Sequence, residues 1–183
     1  IAGASFGTEN LGAAALGGEY GEDLHPRVQA YATISYFDNL MQQDLRDGLS
    51  QLSATLTTIT GTPWELRGRD RAVTFIAGGR YLLRPQARVR PYLGAGAGVI
   101  NLKRRIVDPR VGDVTVAVLN DFGVGALALT TRSDTGPLVE AAAGIGIFDG
   151  PTYVDVGYRY KRAMGVGQTL NFSQLVAGIG YRF

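Results

Sequence analysis

Gln174-Leu-Val-Ala-Gly-Ile-Gly-Tyr-Arg-Phe183 ends the chain on a strict alternation and an aromatic. Leu175, Ala177, Ile179, Tyr181 and Phe183 share one face, while Gln174, Gly178, Gly180 and Arg182 share the other. Extended backbone sends successive side chains to opposite sides, so this stretch has one greasy side and one polar or empty side. A soluble protein could use the pattern once. Here it recurs along the chain with turn residues between the repeats, the signature of a β-barrel standing in a lipid bilayer.

Working back from the C-terminus, Tyr153 to Arg162 places Val154, Val156, Tyr158 and Tyr160 against Asp155, Gly157, Arg159 and Lys161. Val139 to Ile147 alternates in the same way, and Asp149-Gly-Pro151 between the two is turn chemistry. Val73 to Leu83 and Leu93 to Val99 flank Arg84-Pro-Gln-Ala-Arg88. Val28 to Tyr36 follows Asp23-Leu-His-Pro-Arg27, and a weaker glycine- and alanine-rich strand, Leu11 to Gly21, precedes it. Ile1 to Phe6 makes the first strand, for a total of eight. The fold class is therefore all-β, an eight-stranded antiparallel up-and-down transmembrane barrel forming a single domain over residues 1–183. Short turns fall at 23–27, 84–88 and 149–151; loops of very different size fall at 8–10, 38–70, 104–136 and 163–170. Short turns inside and longer loops outside are the asymmetry of bacterial outer-membrane barrels, which puts both termini on the periplasmic side. A ten-strand count is the alternative, with an added hairpin over Val114–Leu119 and Phe122–Thr130. A soluble lipocalin-like barrel would invert the polarity, burying its apolar residues inside.

Composition agrees with one membrane-embedded domain. The chain has 183 residues, 26 glycines, 45% hydrophobic and only 19% charged residues. Apolar content is too high for disorder. No uninterrupted apolar run of about 20 residues exists, which excludes a helical span. Zero cysteines exclude a disulfide framework and thiol-bound metal, and a net charge of +2 does not imply a nucleic-acid partner. The start at Ile1 reads as a mature or trimmed N-terminus.

Arg90-Pro-Tyr-Leu-Gly-Ala-Gly-Ala-Gly98, Val154-Asp-Val-Gly-Tyr-Arg-Tyr160 and Gly178-Ile-Gly-Tyr-Arg-Phe183 together resemble the small outer-membrane β-barrel family of the OmpA/OmpX type. The resemblance implies a bacterial outer-membrane location and no single activity, since members are structural proteins, adhesins, narrow pores and a few enzymes. It also implies that the aromatic-ended last strand is the signal read by the barrel-assembly machinery. Gly178, Tyr181 and Phe183 fit that signal, and Val176 departs from its usual polar position.

If the apolar faces meet lipid, the opposite faces fill the lumen. Glu19, Arg80, Glu140, Asp155, Arg159, Lys161 and Arg182 would then point inward and pair, because an unpaired buried charge is costly. Such a network either plugs the barrel or forms a charged constriction, and inward glycines would loosen the fit. Tyr20, Tyr81, Tyr181 and Phe183 on the periplasmic side, with Phe6, Tyr36 and Tyr160 on the outer side, read as interfacial girdles.

The outer loops carry the remaining signals. Leu45, Leu49, Leu52 and Leu56 recur at helical spacing, which predicts a short helix with one apolar stripe, ended by the threonines near Thr57. It serves as a lid over the barrel mouth or as a partner-binding helix. Val116, Phe122 and Leu127 belong to an unusually apolar third loop, which with Leu45, Leu49 and Leu52 would form a contact surface in a larger envelope protein complex. Arg67, Arg69 and Arg71 top one strand and Lys103, Arg104 and Arg105 its neighbour, candidates for contact with outer-membrane lipid through lipopolysaccharide phosphates. The only histidine, His25, sits in a short turn without a serine beside it, and no metal spacing or phosphate loop occurs. The reading is a non-enzyme without cofactor or metal, a structural or protein-interaction barrel, the alternative being a narrow porin-like channel for small solutes.

Overall fold

In a computed structural model of the chain, residues 2–9, 14–121, 133–166 and 168–182 are described. The strands are β1 (Ala2–Glu9), β2 (Ala14–His25), β3 (Val28–Phe37), β4 (Arg67–Leu82), β5 (Val89–Asp108), β6 (Gly112–Asp113), β7 (Ser133–Asp149), β8 (Thr152–Val166) and β9 (Gln168–Tyr181). Two helices, α1 (Gln43–Thr60) and α2 (Thr115–Asp121), lie in the long loops at the end opposite the short turns. All pairings are antiparallel. Eight strands close a ring, with β4 paired to β5 and β1 paired to β9 from Ala2↔Tyr181 to Glu9↔Gln174. The remaining strand, β6, is a two-residue return of the chain against the outer end of β5. Among the described residues no helix is long and apolar enough to cross a membrane.

The expected alternation sets the wall. Outward Phe75, Leu93, Ile145, Val156 and Ile179 are exposed on the barrel's outside, and the outward tyrosines Tyr20, Tyr81, Tyr181, Tyr36 and Tyr160 flank this apolar band. The girdle positions Phe183 and the Phe6 side chain lie outside the described residues. The β2–β3, β4–β5 and β7–β8 connections are tight at one end, and Gly150 supplies the positive φ of 60° that its turn requires.

All four of the expected longer loops contain strand, the first because β1 runs to Glu9. β4 begins at Arg67, β5 runs to Asp108, β7 starts at Ser133, and β8 and β9 extend to Val166 and from Gln168. β5 has 20 residues, about twice the ~9–11 that a barrel strand needs to cross a bilayer. Where these strands leave the apolar band their polarity reverses: Arg69, Arg71, Lys103 and Arg105 face out, while Ala72, Leu102 and Ile106 face in. The extension is thus built like a soluble barrel, with apolar residues inside around one buried ion pair. A pattern whose sign flips partway along a strand reads as a loop, which is why the predicted boundaries stopped short. β2 likewise lies a few residues later than expected and pairs up to His25↔Val28.

The ten-strand alternative is not what forms. Thr115–Asp121 is helical, started by the Asp113 carboxylate accepting the Thr115 backbone N–H at 3.0 Å. The other half of that hairpin, 122–130, lies outside the described residues. Helix α1 continues through the threonines, whose hydroxyls donate back to carbonyls one turn earlier, Thr57 to Ser53 at 2.8 Å and Thr60 to Leu56 at 2.7 Å. Gly61 ends it instead, in the left-handed conformation (φ 65°), with its N–H on the Thr57 carbonyl.

Candidate functional site: a closed lumen and a cationic outer wall

From the short-turn end, the interior begins with Phe148 stacked on Tyr153 at 5.4 Å and the Arg90 guanidinium 4.0 Å from the Phe148 ring. Next comes a charged layer. Glu19 on β2 accepts from both Arg80 on β4 and Arg159 on β8, the latter at 2.9 Å, and all three are nearly buried. Lys161, wholly buried, reaches the Glu140 carboxylate at 3.6 Å and the Gln174 side-chain oxygen at 3.1 Å. Tyr31 donates to Glu140 at 3.0 Å and Tyr92 to Asp155 at 3.1 Å. The Arg80 guanidinium lies between those two tyrosine rings, 4.5 and 4.7 Å from their centroids.

Inward glycines do not loosen this layer, contrary to expectation. A Cβ on Gly144 or Gly157 would come within 2.5 and 2.7 Å of the Tyr92 hydroxyl, and one on Gly180 would overlap Tyr153. The glycines are the space into which three tyrosines fold. Two small cavities remain there, of about 20 and 10 Å³, touching Asp155 and Arg159 respectively; each holds about one water.

Above the charges the lumen turns apolar, which the sequence reading did not foresee. Phe37 meets Phe172 edge-on at 5.4 Å, surrounded by Ile76, Ile100, Leu102, Leu138 and Leu170. The Lys161 ammonium lies 4.9 Å from the Phe37 ring, so the two layers are continuous. Higher still, Asp70 and Arg104 form a buried two-bonded ion pair across β4 and β5. Leu45, Leu49 and Leu56 of α1 then close the mouth together with Met41, Leu66, Ile106 and Val118. Gly68 provides the seat, its Cα side filled by Met41 and Leu49.

Of the expected interior charges, six gather in this layer. Arg182 does not: it lies past the last residue of β9, half-exposed, and pairs with Asp23 at 3.3 Å on the rim at the short-turn end. Of the expected contact residues, Leu45 and Leu49 are buried in the lid and Leu52 packs against it, so the apolar stripe of α1 is spent on the protein itself. Val116 is exposed, while Phe122 and Leu127 lie outside the described residues. Gly178 faces inward against Ser5, Tyr181 faces outward, and Phe183 lies outside the described residues. Asp70, Tyr31, Tyr92 and Phe37 went unrecognised as plug residues. Their inward parity was readable, but which cross-barrel partner each one meets was not.

The expected basic cluster divides by strand parity. Arg104 faces inward to Asp70 and is not available to lipid. Arg67, Arg69, Arg71, Lys103 and Arg105 face outward, and the ladder sets Arg69 opposite Arg105 and Arg71 opposite Lys103. They line an open concavity of about 870 Å³ on the outer wall. Arg69 and Arg71 share Asp38, just beyond β3, with Arg71 at 3.8 Å; Arg105 meets Asp113 at 3.4 Å and Arg67 meets Glu65. The hydrogen bond from Arg69, helped by the charges of Arg69 and Arg71, outweighs burial and holds the Asp38 carboxyl below the ordinary aspartate range. His25 ends β2 at the opposite, short-turn end, its Nδ1 accepting the Arg27 N–H at 3.4 Å. Among the described residues no three acidic or histidine side chains gather as a metal would need.

No family model matches the chain, and no curated protein matches it in sequence. Solved structures do. Neisserial surface protein A (NspA) aligns over 100% of this chain and 93% of its own, with 14% identity and a TM-score of 0.59. Ail, the attachment invasion locus protein of Yersinia pestis, aligns over 100% and 93%, with 12% identity and a TM-score of 0.53. With the ring of eight strands, the short turns at one end and the outward apolar band, these likenesses establish that the chain has the fold of the small outer-membrane β-barrel proteins.

Proposed function

We propose that this chain is a non-conducting, non-enzymatic barrel of the bacterial outer membrane, with a structural or protein-interaction role and both termini on the periplasmic side. The observation that carries the reading is occlusion of the lumen by three successive layers: the Glu19–Arg80–Arg159 and Glu140–Lys161 ion pairs, the Phe37–Phe172 apolar layer, and the α1 lid. An eight-stranded barrel has room for little beyond its own side chains, and here three tyrosines take up the glycine space as well. Such packing speaks against the narrow channel considered from the sequence. Any partner in a larger envelope complex would meet the top of the lid, where Ile59, Val111 and Val116 are exposed, rather than Leu45 and Leu49. The aromatic-ended β9 is proposed as the segment read by the barrel-assembly machinery.

Planar-bilayer recording of the purified full chain tests the closed lumen. No reproducible single-channel steps are expected. Steps that disappear when Lys161 is replaced by a larger residue would overturn the proposal in favour of the channel.

A further inference from the structure

We infer that the outward face of β4–β5, just above the apolar band, is a binding site for the phosphorylated headgroup of an outer-leaflet glycolipid. The inference rests on the membrane placement proposed above, but not on whether the lumen conducts.

Its basis is a repulsion built into the sheet. Arg69 faces Arg105, and Arg71 faces Lys103, on neighbouring rungs of one ladder. Directly opposed side chains have Cβ atoms about 4.5–5.5 Å apart, and like charges so placed are destabilising. Successive outward positions on a strand are about 6.6 Å apart, so four cations occupy a patch of roughly 5 by 7 Å. The protein neutralises only part of it. Asp38 serves both Arg69 and Arg71, Asp113 serves Arg105, and Lys103 has no carboxylate partner among the described residues. Two carboxylates against four cations leave an excess of two positive charges in the concavity. A phosphate group, with up to two negative charges and several acceptor oxygens, matches that excess, and charge-assisted hydrogen bonds to guanidinium are the strong kind.

Height selects the source of the phosphate. Arg71 and Lys103 sit one outward position beyond Val73 and Asn101, where the lipid-facing apolar run of β4 ends. This is headgroup level on the outer-loop side. A lipid phosphate is held there by its own acyl chains, whereas a free anion would have to be captured from screened solution. Because the protein supplies the positive charge itself, the contact does not depend on a bridging divalent cation. Arg104, turned inward to Asp70, takes no part.

The experiment uses the refolded full chain in dodecyl-maltoside micelles, titrated with diphosphoryl lipid A in EDTA and in excess Mg²⁺. The variants are Arg71→Gln/Lys103→Gln and, as a control removing equal charge at the periplasmic turn, Arg84→Gln/Arg88→Gln. Heat-modifiable gel migration verifies that each is folded. Saturable binding is expected in EDTA, weakened at least ten-fold by the first pair and unchanged by the second. Equal binding by both pairs, binding that requires Mg²⁺, or full competition by millimolar inorganic phosphate would each overturn the inference. Those results leave the closed lumen untouched. Failure of the refolded chain to partition into bilayers would instead remove the membrane placement on which both proposals stand.

Discussion

Replacing Glu19 by Gln should be the most damaging single isosteric change in this barrel. The carboxylate is shared by two guanidinium groups, Arg80 and Arg159, which are 5% and 3% exposed. Gln keeps an acceptor oxygen and the side-chain volume, so no cavity opens; what disappears is the anion between two buried cations. Removing one member of a buried pair typically costs ~3–5 kcal/mol, because the partner charge is left uncompensated. Two partners are stranded here. The Asp155 carboxylate already accepts from Tyr92, and Glu140 is engaged by Lys161 and Tyr31, so neither is free to replace Glu19. With urea slopes of ~1–3 kcal/mol per molar, a loss of that size moves the unfolding midpoint by at least about 1 M. Reversible unfolding in detergent or lipid, followed by far-ultraviolet circular dichroism and gel migration, measures it. Adding Arg80→Met to Glu19→Gln removes one stranded cation, and the double variant should be at least ~1 kcal/mol more stable than the two single effects summed. A Glu19→Gln midpoint within about 0.3 M of the parent, or strict additivity in the double variant, would show that the layer is not held by this shared charge.

Shortening the second outer loop by replacing 43–60 with a brief glycine-serine link should leave the barrel non-conducting, because the Phe37–Phe172 layer and the charged layer still block it; single-channel recordings check this, and clear steps would make α1 the sole plug. Leu49→Ala, at a fully buried lid position, should cost ~2–5 kcal/mol locally. Hydrogen exchange should then quicken across α1 while the β8–β9 amides keep their protection, whereas uniform loosening would show that lid and barrel unfold as one unit. Deleting Phe183 should slow outer-membrane insertion in cells while the purified protein still refolds into detergent; unchanged insertion kinetics would remove the assembly-signal role.

The wall of this protein was legible without coordinates because lipid acts on every strand in the same way. Leu175, Ile179, Val154, Val156, Phe75 and Leu93 alternate with small or polar residues under one rule, and short turns punctuate the repeats. Eight strands, their inside–outside sense and the identity of six interior charges follow from that local periodicity. Where solvent replaces lipid the rule changes sign, so by periodicity alone the extended tops of β4, β5 and β7 read as loops and Arg104 as a surface cation. Nor can periodicity say who meets whom across a lumen. Glu19 and Arg159 are brought together from β2 and β8 only by barrel closure, and Asp70 finds Arg104 only through the β4–β5 register. The leucine stripe of α1 was visible as a stripe, but an apolar face suits a lid and a docking helix equally. Only Met41, Leu66, Ile106 and Val118 arriving from four other segments determine that it is buried. Local physics thus wrote the strands, while the contents of the lumen and the charge pattern of the outer wall depend on neighbours distant in sequence, which closure of the ring alone brings within reach.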